Sequence, residues 1–167
     1  MIRLLPLSGA VVRAVGDPDA FTALTGATLG DCAALAQALV AEDAAHRERT
    51  GPTPGWGGFL VVDEATQRVV GACGFVSAPD DDGTVEIAYG TFPAYERHGF
   101  ASASCAALLA RAARTGAVRA VYAHTLPEPN ASTRILARHG FVQTGTAYDD
   151  DEGTVWRWEH SLEVPHA

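Results

Sequence analysis

The 167-residue chain has little cysteine, a single methionine, and few basic side chains, with 12 Arg and Lys against 20 Asp and Glu. Each shortage excludes something. Cys32, Cys73 and Cys105 form neither an even set nor a Cys-x-x-Cys pair, and each falls on an apolar helix face or inside a strand. They read as core residues, not as a disulfide framework. His46, His98 and His139 lack a His-x-x-x-His spacing, so no metal site is expected. A formal net charge of −8 has the wrong sign for a nucleic-acid binder. It mildly favours a cationic amine or peptide as partner, although an acidic surface that only keeps the chain in solution is the plainer explanation. Long apolar runs are missing too, and none approaches the length of a membrane span. Arg3 is the only charge near the start, and no signal-peptide pattern with a small-residue cleavage site follows Met1. The expectation is one soluble, cytoplasmic domain over residues 1–167, large enough to bury a core.

What is present reads as alternating strands and helices. Residues 2–7 look like a strand, and Ser8 is placed to cap a short helix that Gly16-Asp17-Pro18 soon breaks. Asp31 is expected to cap a longer amphipathic helix whose buried stripe is Cys32, Leu35, Ala36, Leu39 and Val40. The Gly- and Pro-rich residues 51–58 can hold neither helix nor strand. They read as a mobile substrate loop, or as a plain linker with Trp56 packed on the core. Residues 59–62, 69–76 and 85–92 form an expected antiparallel meander. A helix, a strand over 118–124, a helix over 130–139 and a final strand pair over 141–148 and 154–160 follow. The class is α+β, a central mixed but mostly antiparallel sheet flanked by helices.

The most informative run is Tyr95-Glu96-Arg97-His98-Gly99-Phe100-Ala101. It joins a strand closed by Pro93 to a helix whose stripe is Cys105, Leu108, Leu109 and Ala112, with Gly116 as its stop. A tight turn opening a helix presents backbone N–H groups and the positive end of the helix dipole, which suits a phosphate or pyrophosphate. Arg97 and His98 would add side-chain donors. Gly99 is the only glycine in the turn and no Lys-Ser or Lys-Thr follows, so neither the dinucleotide fingerprint nor a Walker loop fits.

This loop resembles that of the GNAT superfamily of acyl-CoA-dependent N-acyltransferases, which has the form Gln/Arg-x-x-Gly-x-Gly/Ala. Gly99 and Ala101 match its last two fixed positions, and Glu96 stands where Gln or Arg is usual. The segment from Asn130 through Ser132 and Leu136 to Gly140-Phe141 is similar to the late helix of the same family. The Asn-x-Ser pattern and the closing Val155-Trp156-Arg157-Trp158-Glu159 resemble the branch containing the ribosomal-protein N-terminal acetyltransferases. The resemblance covers roughly residues 58–159 and implies acetyl-CoA as co-substrate. Its pyrophosphate would lie on the amides of Arg97, His98, Gly99, Phe100, Ala101 and Ser102. The resemblance further implies a strand N–H at Gly90 or Thr91 as donor to the acyl carbonyl, and pantetheine along Thr91, Phe92 and Pro93, with a contact from Asn130.

Glu86 is the first candidate for general base, because it shares a strand face with Ala88 and Gly90, whose small size leaves room beside the carboxylate. Some family members carry a catalytic Glu at the equivalent position. The plainer alternative is a carboxylate bonded within the sheet. His124 is either an auxiliary base or a structural strand-end histidine. The resemblance makes Ser132 the acid toward the departing thiolate, whereas a first-turn serine is also an ordinary cap. Leu136 occupies the position where many relatives carry a tyrosine acid. Trp156 and Trp158 wall the acceptor pocket or pack in the core. Cys105, inside the helix stripe, is poorly placed as a nucleophile. The expected activity is transfer of acetyl from acetyl-CoA to a primary amine, on a protein N-terminus or a small molecule, by direct attack. The alternative is a non-catalytic acyl-CoA-binding or ligand-sequestering module on the same fold. Nucleic acid, membrane and metal are not expected partners, and monomer or homodimer remains open.

Overall fold

The computed structural model describes residues 1–51 and 53–162. Seven strands form one mixed sheet in the order β1-β2-β3-β4-β5-β7-β6. The backbone gathers into two compact units, Met1–Gly74 with Tyr89–Ser104, and Phe75–Ala88 with the chain from Cys105 onward. Strand β4 and the helix after the Gly99 loop each run through both.

In the first unit, β1 (Ile2–Pro6) pairs antiparallel with β2 (Gly58–Asp63), and β2 with β3 (Arg68–Phe75). Helix α1 (Gly9–Ala14) starts as expected, with the Val11 N–H donating to Ser8 Oγ at 3.3 Å. Helix α2 (Pro18–Thr25) is capped by Asp17, which accepts from the Asp19 and Ala20 N–H groups. Leu7, Val11, Phe21, Ala36, Val40, Leu60, Val62, Val69 and Phe92 make the core of this unit.

Helix α3 (Ala33–Thr50) departs from the expected stripe. Asp31 lies in a 3₁₀ turn, Gly30–Cys32, and the N-cap of α3 is Cys32, without a side-chain cap bond. Cys32, Ala36 and Val40 are buried with Ala33 packed beside them, whereas Leu35 and Leu39 are 45% and 38% exposed. An i, i+4, i+8 line drifts around the helix, so a face centred toward Ala33 turns Leu35 and Leu39 to its edge. The later turns are anchored. Arg47 donates to the Leu7 carbonyl at 3.0 Å and pairs with Asp43. In the Gly/Pro-rich segment, Trp56 N–H donates to the Thr53 carbonyl at 2.9 Å, and Trp56 is half-buried. Pro52 of that segment lies outside the described residues.

In the second unit, β4 (Thr84–Thr91) pairs in parallel with β5 (Ala120–Thr125), β5 antiparallel with β7 (Gly153–Ser161), and β7 antiparallel with β6 (Val142–Asp149). The ladder of β5 begins at Ala120 and not at 118; Val118 is buried ahead of it. Helix α4 (Phe100–Arg114) buries Cys105, Leu108 and Ala112, and Gly116, at φ 67°, follows it. Helix α5 is Ala131–Arg138.

Candidate active site

The turn before α4 owes its shape to Arg97 at φ 66° and Gly99 at φ 83°. A left-handed residue that is not glycine is uncommon, and the one here stands in the loop read as a phosphate cradle. The Cβ position of Gly99 has no atom within 4 Å, so conformation, not crowding, asks for glycine, and a ligand can approach the backbone closely. The first α4 bond runs from Ala103 N–H to Gly99 O at 3.0 Å. The N–H groups of Phe100 and Ala101 therefore precede that bond at the start of the helix. Such a cradle fits a pyrophosphate without any further group.

Two side chains of this region behave differently from expectation. His98 Nδ1 donates to the Glu96 carbonyl at 2.7 Å, with the Tyr95 carbonyl at 3.2 Å, and the ring stacks on Phe100. Carbonyls only accept, so the proton is on Nδ1 and this edge of His98 braces the loop; only Nε2 is left to face a ligand. Phe92 was expected along the pantetheine. Its side chain instead packs in the core at 4% exposure, its N–H donates to Val70 O, and its carbonyl accepts from Tyr95 N–H. A large apolar ring at a strand end is worth more buried than wet. Gly90 is exposed with open space at its Cβ position. A Cβ on Gly71 of β3 would fall 2.2 Å from the Gly90 carbonyl, so Gly71 permits the close approach of these backbones.

The chemistry-bearing side chains of the second unit share one face of β4, β5 and β7. Glu86 is level with Tyr122, Tyr122 is opposite Glu159, and His124 is opposite Arg157. Directly opposed residues point to the same side. His124 Nδ1 lies 2.8 Å from Glu86 Oε1, with the two side chains 26% and 21% exposed. A carboxylate only accepts, which fixes a proton on Nδ1; in the neutral ring Nε2 then carries the lone pair. That Nε2 is buried and has no hydrogen-bond partner among the described residues. A buried polar atom without a partner costs free energy and calls for a functional account. The Arg157 guanidinium lies 3.8 Å from the Tyr122 ring centroid, and its Nε donates to Glu159 Oε1 at 2.8 Å. Burial, then the Glu86 charge, push the Tyr122 hydroxyl up, with Arg157 opposing.

On α5, Asn130 is the N-cap. Its Oδ1 accepts from Thr133 N–H at 3.0 Å, and Thr133 Oγ1 accepts from the Asn130 N–H at 3.0 Å. This reciprocal box removes capping as the explanation for Ser132, which sits half-buried inside the first turn. Leu136 is 1% exposed and belongs to the core. Trp156 and Trp158 are opposite Thr125 and Ala123, on the face away from Glu86, and Trp158 Nε1 donates to Thr125 Oγ1 at 3.0 Å. They do not share the carboxylate's face. Cys105 is fully buried and its thiol is pushed up to about 12, which rules it out as a nucleophile. Among the described residues no group of His, Cys, Asp and Glu could hold a metal ion, and no helix is long and apolar enough to cross a membrane.

Tyr122, Arg157, Glu159, Thr133 and Gly71 are the contributors that sequence reasoning missed. The i, i+2 spacing of Tyr122 with His124 and of Arg157 with Glu159 was visible as one face of each strand. The register that joins the faces was not.

The sequence profile described as an acetyltransferase (GNAT) domain matches residues 8–142. The chain belongs to the GNAT acetyltransferase family. Over 90 residues it is 26% identical to YjdG of Bacillus subtilis (strain 168), described as an uncharacterized N-acetyltransferase. That match takes in 54% of each chain, so this chain spans about half the length of the curated relative. Two solved structures share the fold at TM-scores of 0.64 and 0.65. They are the ribosomal L7/L12 alpha-N-protein acetyltransferase RimL in complex with coenzyme A (16% identity, 97% of this chain, 99% of that one) and the ribosomal-protein-S5-alanine acetyltransferase of Vibrio fischeri (14%, 99% and 94%). GNAT membership agrees with the α+β class and the seven-stranded, mostly antiparallel sheet.

Proposed function

We propose that this GNAT protein transfers an acetyl group from acetyl-CoA to a primary amine, on a peptide N-terminus or a small molecule, by direct attack. The observation that carries the reading is the Glu86–His124 pair, bonded at 2.8 Å with Nε2 left unpartnered among the described residues. An amine attacks only after its ammonium has lost a proton. His124 Nε2 and the second oxygen of Glu86 are the two accepting atoms that this pair offers, directly or through a water. The exposed Ala88 and Gly90, on the face of Glu86, leave space for the acceptor. Family kinship and the RimL complex with coenzyme A support acetyl-CoA as donor.

The loop amides from Arg97 to Ser102 would hold the pyrophosphate, with no side chain required at Gly99. An N–H at Gly90 or Thr91 would stabilise the developing negative charge on the acyl oxygen, where a preorganised donor is most effective. Ser132 would donate a proton to the departing thiolate. Asn130, whose Oδ1 is committed to the cap, would meet the pantetheine through its amide nitrogen. An acidic protein suits a cationic acceptor.

The test is thiol release from acetyl-CoA measured across a panel of amines and short peptides. Release that depends on amine is expected. Binding of acetyl-CoA with no amine-dependent release would favour the ligand-sequestering alternative.

A further inference from the structure

The face that presents Glu86 and His124 also carries Tyr122, Arg157 and Glu159. Tyr122 and His124 are two residues apart on β5, with ring centroids 5.5 Å apart and planes at 68°, an edge-to-face contact. The Arg157 guanidinium covers the Tyr122 ring at 3.8 Å. Arg157 is itself tethered, its Nε donating to Glu159 Oε1 at 2.8 Å. Each contact removes a rotamer from the next: Glu159 fixes Arg157, Arg157 fixes the Tyr122 ring, and the ring limits the imidazole. An imidazole that must keep Nδ1 on Glu86 and Nε2 turned away cannot flip freely. The Glu86 bond alone opposes a ring flip only by its own strength, because rotation about the outer side-chain bond breaks it and nothing else.

We propose that Tyr122, clamped by the Arg157–Glu159 pair, is a positioning residue that holds His124 in the orientation and tautomer required for proton acceptance. The proposal rests on the reading of Glu86 and His124 as the proton-accepting pair. In this role Tyr122 touches neither acetyl-CoA nor the amine; its ring lies against the imidazole and its hydroxyl beside the Glu86 carboxylate. The charged groups that face His124 and Tyr122 are Glu86 from β4, Arg157 and Glu159 from β7 and, within electrostatic reach of His124, Asp149 from β6, so the tautomer reports on these contacts together.

Nitrogen-15 NMR of the imidazole reads the tautomer without any assay of activity. In the wild type His124 should show one neutral tautomer, protonated on Nδ1. Tyr122→Leu and Arg157→Met should each give a mixture, with kcat reduced about tenfold and KM for acetyl-CoA unchanged. Tyr122→Phe, which keeps the ring, should retain the wild-type tautomer and most of kcat. Arg157→Met leaves Tyr122 in place and serves where Tyr122→Leu fails to fold. A wild-type tautomer in both the leucine and the methionine variants overturns the proposal. So does a phenylalanine variant that behaves like the leucine one. Full turnover in Glu86→Ala would instead overturn the underlying reading of the pair, and the tautomer result would stand apart from it.

Discussion

The loop over residues 95–102 and the sheet face around Glu86 are built on different principles. In the loop, backbone shape leads: Arg97 and Gly99 are left-handed, α4 starts directly after them, and the His98 side chain braces the turn. The sheet face works through side chains whose meeting depends on strand register. Glu86, Tyr122, His124, Arg157 and Glu159 are ordinary residues until the pairing sets them level. A backbone site tolerates side-chain change but not a change of conformation. A side-chain site has the opposite sensitivity.

The largest expected effect comes from breaking the loop's conformation. Gly99→Asp puts a Cβ and a negative charge at φ 83°, beside the amides proposed to hold the pyrophosphate. Acetyl-CoA affinity should fall at least a hundredfold while the circular dichroism spectrum is unchanged. Unchanged affinity in a folded variant would remove the loop from the account. Gly99→Ala separates strain from charge and should cost much less affinity.

Gly71→Ala comes next and probes the close backbone approach behind the strand N–H groups proposed to meet the acyl oxygen. Its Cβ would fall 2.2 Å from the Gly90 carbonyl, and overpacking of this kind costs about 1–3 kcal/mol. A lowered denaturation midpoint at constant m-value is expected, with turnover per folded molecule also reduced because Gly90 and Thr91 shift. A midpoint equal to wild type would mean that the strands relax freely there.

Ser132→Ala should slow turnover only a few-fold, because coenzyme A thiol is itself a fair leaving group. The melting temperature is measured on the same variant, because Asn130 and Thr133 supply the box that caps α5 and any structural contribution of Ser132 would show there. A rate loss that disappears after correction for the folded fraction would leave Ser132 no chemical role. Leu136→Tyr is no rescue, because a buried leucine at 1% exposure cannot be enlarged without overpacking the core.

The smallest effect is on the alkaline side of stability. The folded state raises Tyr122 above its ordinary 10.0, so it holds that proton more tightly than the unfolded chain does. The stabilisation is present in full below pH 10 and is lost as pH rises through the folded value. Tyr122→Phe should flatten the decline seen by denaturant titration above pH 10, and an identical decline in both proteins would contradict the assignment.

The contrast between the two sites also explains what was legible in the sequence. The strand, the turn at Gly99 and the α4 stripe of Cys105, Leu108 and Ala112 are local features, written in residues a few positions apart. Glu86 was recognisable because Ala88 and Gly90 are its neighbours along one strand. Its partner His124 lies 38 residues away, and only the β4–β5 register joins them. The clamp from Arg157 and Glu159 depends on a second register, between β5 and β7. The burial of the Phe92 side chain and the exposure of Leu35 were not legible for a related reason. Whether an apolar residue at the edge of a pattern is buried depends on the element packed against it, and periodicity does not name that element.

The most direct test of the central claim is acetyl-CoA affinity and amine-dependent turnover measured side by side on Glu86→Gln. Affinity should match the wild type, because the loop is untouched. Turnover should fall by about 10² to 10⁴-fold, the range for loss of a general base. Wild-type turnover in this variant would remove Glu86 from the mechanism, and a parallel loss of affinity would show that the two sites are not the separate devices described here.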